Sequence, residues 1–121
     1  MPLTYIDIFA GAGGLSEGFL KNGYVPVAHV EMKAEACLTL KTRTCYYYLK
    51  NNGQIKEYNR YLRQEISREE LYQLVPKELL DTVIQETMSA EGMESLFKRI
   101  DRLMQQQKVK KIDVLVGGPP C

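Results

Sequence analysis

The sequence predicts an α/β fold built on a parallel sheet, and three observations predict it. A short run rich in β-branched residues, Tyr5-Ile6-Asp7-Ile8-Phe9, passes through Gly11, Gly13 and Gly14 into a segment where Leu15, Phe19 and Leu20 stand at helical spacing. A second apolar run, Tyr24 to Val30, ends in Glu31. A third, Ile112 to Val116, closes in Gly117-Gly118-Pro119-Pro120. Strands separated by helical stretches must cross over the sheet, and the neighbours are then parallel.

A strand, a glycine turn and a helix open a nucleotide-binding unit. Glycines are needed there because the turn is tight, the ligand approaches bare backbone, and the N–H groups of the new helix point at it. A strict G-x-G-x-x-G pattern would place a third glycine at position 16, where this chain has Ser16. A tight turn with no ligand would share these residues. Glu31 weighs against that, since a carboxylate ending the second strand is where such folds hold a ribose by its hydroxyls. Turn and acid together point to an adenosyl-type ligand on a partial Rossmann-like sheet. A nicotinamide dehydrogenase fragment would also use Gly11, Gly13 and Glu31, but it leaves Gly117 to Cys121 unexplained.

The bulk properties suit one soluble globular domain or part of one, with 121 residues, 45% hydrophobic and 26% charged. A net charge of +1 advertises no global positive field, and a basic surface would have to come from a separate module. Met1-Pro2-Leu3-Thr4 runs straight into the first strand, leaving no room for a signal peptide, and no apolar stretch reaches the length of a membrane span. The cysteines Cys37, Cys45 and Cys121 form no C-x-x-C pair and there is a single histidine, which argues against a disulfide framework or a zinc site. Reduced thiols in a cytoplasmic protein are the simple expectation.

The first strand is expected from about Leu3 to Phe9 and the first helix from about Gly14 to Lys21, ended by Asn22-Gly23. The second strand runs over Val25 to Val30, with His29 on a strand face and no catalytic part. A helix is expected over Lys33 to Lys50, stopped by Asn51-Asn52-Gly53. Adjacent tyrosines on a helix point in different directions, so Tyr46, Tyr47 and Tyr48 are expected to pack rather than to stack bases. A helical insertion follows over about 54–108. Ile55, Tyr58, Leu62 and Ile66 follow one face, and Ser67-Arg68-Glu69-Glu70 reads as a capping box before Leu71, Leu74 and Val75. After Pro76, residues Leu79, Leu80, Val83 and Ile84 form another apolar stripe. The set Met93, Leu96, Phe97, Ile100, Leu103 and Met104 marks a longer amphipathic helix; its Lys98, Arg99 and Arg102 could touch phosphate, but a solvated face is the expectation.

F-A-G-x-G-G at Phe9 to Gly14, the acid Glu31, and D-V-L-V-G-G-P-P-C at Asp113 to Cys121 resemble the cytosine carbon-5 DNA methyltransferases. The resemblance covers both ends of the chain, not its helical middle, and only the opening portion of that family's catalytic domain. It implies a sheet of three or so parallel strands that binds S-adenosylmethionine and leaves S-adenosylhomocysteine as product. By this likeness Phe9, Ala10, Gly11, Gly13, Gly14 and Leu15 line the cofactor pocket, and Pro119 borders it from the other strand. Glu31 accepts from both ribose hydroxyls, and Met32 packs on adenine. Cys121 corresponds to the nucleophile that attacks carbon 6 of a flipped-out cytosine, so that carbon 5 can take the methyl group. A thiolate is the side chain best suited to such an addition near neutral pH, and the target atom inside a stacked duplex requires the base to be extruded.

The chain also departs from the family. The acid that ends the third strand and reads the adenine amino group falls in the insertion, where Glu86 after Val83-Ile84 is the candidate. The Glu-Asn-Val segment, the Arg-containing segment and the target-recognition domain are absent. The α-carboxylate of a terminal Cys121 would disfavour its thiolate. The expectation is therefore a fragment of a DNA (cytosine-5-)-methyltransferase of the restriction–modification kind, inactive alone. Double-stranded DNA would be engaged through parts missing here. A complementing second chain, or self-association through an unpaired sheet edge, would complete the fold. A tRNA-directed member of the family and a non-catalytic adenosyl-binding module are the alternatives.

Overall fold

The computed structural model describes residues 2–8, 11, 14–86 and 90–117, with backbone alone at Leu15 and Ala90. Strand β1 (Thr4–Ile8), helix α1 (Gly14–Lys21), strand β2 (Val25–Glu31) and helix α2 (Ala34–Asn51) come first. Helices α3 (Ile55–Leu62), α4 (Arg68–Gln73) and α5 (Lys77–Leu80) follow, then strand β3 (Val83–Gln85), helix α6 (Ala90–Gln107) and strand β4 (Val114–Gly117). The four strands form one sheet in the order β3-β2-β1-β4, and every neighbouring pair is parallel.

Local chemistry explains each boundary near the site. Gly23 ends α1 in a left-handed conformation (φ +80°) that glycine adopts without a Cβ clash, and its N–H donates to the Leu20 carbonyl. At the start of β1, Asp113 Oδ2 accepts the Thr4 N–H at 2.9 Å, and the Thr4 hydroxyl donates to the Lys111 carbonyl. The Thr4 N–H holds the Asp113 carboxyl below its ordinary range. This clamp brings β4 beside β1 across more than a hundred residues of sequence. The Ser67–Glu70 capping box forms as expected.

One sheet face is covered by α6, where Leu96 and Leu103 pack with Ile6, Val27, Ala28, Val30 and Ile84. The other is covered by α1 and α2: Tyr5 stacks on Phe19, and Cys37 and Leu40 meet Val83. A separate apolar cluster of Cys45, Leu49, Ile66, Leu71 and Val75 ties α4 and the turns around it onto α2. Cys37 and Cys45 are free, buried thiols; burial pushes Cys45 up to about 11.

Three expectations need correction. Val83 and Ile84 do not continue a helical stripe; α5 stops at Leu80, where the Thr82 hydroxyl donates to the Leu79 carbonyl, and the β-branched pair enters β3 beside His29 and Val30. The insertion 54–108 is therefore not all helical; it contains a strand, and the expected sheet of three or so parallel strands has four. Leu62, Leu74 and Phe97, on the apolar stripes read from the sequence, are exposed. Tyr46 packs edge-to-face on Tyr47 and on Tyr58 of α3, the packing role expected of that cluster.

Tyr5 makes an alkaline limit predictable. Burial pushes its phenol up to about 12, against the lowering effect of its contact with the Ser16 hydroxyl. The folded chain holds that proton more tightly than the unfolded one. The contribution is complete below about pH 10 and is lost as pH rises towards 12, on the order of 2–3 kcal/mol. Denaturant unfolding from pH 9 to pH 12 is expected to show this decline, with a shallower slope for Tyr5→Phe. Tyr47, also pushed up to about 12, accounts for part of the remainder.

Candidate functional site

The chain leaves β1 through α1 to reach β2 on one side, while β4 pairs on the other side of β1. The carboxyl ends of β1 and β4 therefore flank a topological switch point, where open α/β sheets bind ligands. Gly11 sits just above this point with φ +59°, a conformation that a side chain would strain. Among the described residues, a Cβ added at Gly11 or Gly14 would meet nothing within 4 Å.

Glu31 ends β2 and is 9% exposed. Its Oε1 accepts the Gly11 N–H at 3.0 Å, and its Oε2 accepts the Lys33 N–H at 2.8 Å. One carboxylate thus ties the glycine turn to the first residues beyond β2. A carboxylate offers roughly four lone-pair sites, so two remain for donors on a ligand. The Glu31 carbonyl accepts the Glu86 N–H at 3.0 Å and, at 3.5 Å, the Cys37 thiol. Glu86 follows the last residue of β3 directly, beside the end of β2. Met32 is half exposed, and its carbonyl accepts from Gln85 Nε2 at 3.4 Å.

The structure thus brings Gly11, Gly14, Glu31, Met32 and Glu86 to one end of the sheet, and Leu15 lies in the first turn of α1. Phe9, Ala10, Gly13, Pro119 and Cys121 lie outside the described residues. Sequence reading missed the part played by Ser16. It fills the third-glycine position, is buried, and its hydroxyl contacts the Tyr5 hydroxyl at 2.5 Å, pinning α1 to β1 through a polar contact. The missing glycine was the signal. Among the described residues no cluster of three or more His, Cys, Asp or Glu side chains could hold a metal ion, and no helix is long and apolar enough to cross a membrane.

Gly117 allows β4 to approach β1 closely. It pairs with Ile8, and a Cβ there would lie 2.6 Å from the Ile8 carbonyl oxygen, a backbone atom held in the sheet. Gly117→Ala is expected to cost about 1–3 kcal/mol through this overpacking. Denaturant midpoints measured for both forms check it; an unchanged midpoint would contradict so close an approach.

A four-stranded parallel sheet with helices on both faces, and a glycine turn meeting an acidic strand end at its switch point, defines a Rossmann-like α/β fold. Comparison with known sequences specifies the family. A profile described as C-5 cytosine-specific DNA methylase matches residues 3–71, and the chain belongs to that family. It is 35% identical over 137 residues to type II methyltransferase M.Bpa9945I of Bacillus paralicheniformis, covering 98% of this chain and 31% of that protein. It is 30% identical to the putative type II methyltransferase M.MjaORF1200P of Methanocaldococcus jannaschii, with 98% of this chain and 35% of the relative covered. Type II methyltransferase M1.HphI of Haemophilus parahaemolyticus is 26% identical over the whole chain and 22% of its own length. The chain thus spans about a third or less of these relatives. No solved structure matches it.

Proposed function

We propose that this chain is the cofactor-binding part of a DNA (cytosine-5-)-methyltransferase, carrying its nucleophile at Cys121. The observation that carries the reading is the Glu31 carboxylate, buried at the switch point and holding Gly11. Its unused lone pairs suit the two hydroxyls of a ribose, and the bare backbone at Gly11 and Gly14 suits a ligand that lies on it. The donor set therefore fits S-adenosylmethionine. When bound, that cofactor supplies an electrophilic methyl group on sulfur.

The chain's own residues would divide the remaining work. Gly11, Gly13 and Gly14, with Phe9, Ala10 and Leu15, form the wall against the methionine part. Met32 packs on the adenine, and Glu86, placed beside Glu31 by β3, accepts from its amino group. Pro119 borders the pocket from the β4 side. Cys121 adds its thiolate to carbon 6 of an extruded cytosine. Electron density then moves to carbon 5, which takes the methyl group; loss of the carbon 5 proton and elimination of the thiolate release the product.

The 121-residue chain is inactive alone on this reading. Beside β1, β4 forms one edge of the sheet, and its Leu115 is 65% exposed. An edge of this kind pairs with another strand, supplied by a complementing polypeptide or by a second copy. Recognition of double-stranded DNA, and the choice of DNA over tRNA, rest on that complement.

Cofactor titration tests the reading. The chain has 8 tyrosines and no tryptophan, so tyrosine fluorescence reports binding. Saturable quenching by S-adenosylmethionine and S-adenosylhomocysteine is expected. Preference for a nicotinamide dinucleotide would overturn the assignment.

A further inference from the structure

Below the Glu31–Gly11 contact lies a buried polar pair that the proposed chemistry does not use. Asp7 of β1 and His29 of β2 are partners in register, 1% and 4% exposed. Asp7 Oδ2 and His29 Nδ1 face each other at 3.8 Å, and neither atom has a hydrogen-bond partner among the described residues. Burying two such atoms is costly unless they satisfy one another.

The described surroundings offer no other partner for Nδ1. The Tyr5 ring stands edge-on to the imidazole, with centroids 6.0 Å apart. A space of about 10 Å³ beside the ring, the size of about one water, is lined by Ser16 and Glu17 of α1 and by Arg43 and Thr44 of α2, not by Asp7. Arg43 is committed to Glu17 at 2.7 Å. Two bare acceptors facing each other in this setting would repel, whereas a proton on Nδ1 turns the contact attractive.

We infer that His29 carries a proton on Nδ1 directed at Asp7 Oδ2, and that this cross-strand pair is a positioning device for the cofactor turn. Successive side chains alternate across a strand, so Glu31 lies two residues beyond His29 on the same face of β2. The Asp7–His29 contact links the facing side chains of β1 and β2 one step below the point where Glu31 grips Gly11. His29 touches no reacting atom; it acts through Glu31. Its effect on ligand binding rests on the S-adenosylmethionine reading, but its protonation state does not.

The test has two arms. The chain contains a single histidine, so the ¹⁵N spectrum of the labelled 121-residue protein reports His29 alone. A proton on Nδ1 is expected, whether the ring is neutral or charged; a bare Nδ1 would overturn the inference. The second arm compares His29→Asn, whose amide nitrogen occupies nearly the Nδ1 position, with His29→Leu, which strands Asp7. S-adenosylhomocysteine affinity is expected to stay within about threefold for the asparagine variant and to fall about tenfold or more for the leucine variant. Equal losses in both, or none in either, would remove the positioning role. If the wild-type chain bound no S-adenosylhomocysteine, the functional reading would fail while the spectrum still decided the pairing.

Discussion

Changing Cys121 to serine in a complete enzyme is expected to abolish methyl transfer while leaving cofactor binding intact. A hydroxyl is a far weaker nucleophile than a thiolate near neutral pH, and no addition at carbon 6 means no nucleophilic carbon 5. Loss of an acting nucleophile costs at least about a thousandfold in rate. A suitable vehicle is a chimera in which this chain replaces the matching segment of the Bacillus paralicheniformis relative, to which it is 35% identical. Transfer of labelled methyl to cytosine in duplex DNA is read for the unaltered chimera and for its Cys121→Ser variant. A 5-fluorocytosine in the target adds a second readout, because fluorine at carbon 5 cannot leave as a proton and traps the covalent adduct. No adduct is expected from Cys121→Ser. Substantial transfer by that variant would remove Cys121 from the mechanism.

The second large effect is expected at Glu31. Removing its carboxylate deprives the Gly11 and Lys33 N–H groups of their acceptor and takes away the proposed ribose acceptor as well. Charge-assisted hydrogen bonds contribute about 1.5–3 kcal/mol each, so Glu31→Ala is expected to weaken S-adenosylhomocysteine binding by about a hundredfold or more. Glu31→Gln keeps the shape but turns one acceptor into a donor facing an N–H group, and about a tenfold loss is expected. Titrations of the three forms check this order. Equal affinity in wild type and Glu31→Ala would place the ribose elsewhere.

Much of this architecture was legible from a few residues. The glycine turn after Ile8 and the acid at Glu31 stood at the separation a ribose site requires, and the structure joins them through the Gly11 N–H. Ile112 to Val116 read as a strand; the structure starts it two residues later, as Val114–Gly117, and pairs it with β1. β3 was legible only through the family resemblance, which put the end of a third strand at Glu86 after Val83-Ile84; by periodicity alone Leu79, Leu80, Val83 and Ile84 satisfy a helix as well as a short strand. Pairing with β2 decided it, which is a tertiary effect that propensity does not record. Asp7 was hidden within an apolar run, and His29 was assigned only a place on a strand face; their opposition depends on the β1–β2 register. Ser16 stood out only as a missing glycine, and its partner Tyr5 lies eleven residues away.

The proposed activity requires two strand ends to meet at one cofactor. Cys121 alkylation with and without saturating S-adenosylhomocysteine measures this most directly, with Cys37 and Cys45 as buried internal controls. Bound S-adenosylhomocysteine is expected to slow alkylation of Cys121, with the other two thiols unreactive throughout. A Cys121 that reacts at the same rate while the cofactor site is filled would contradict it.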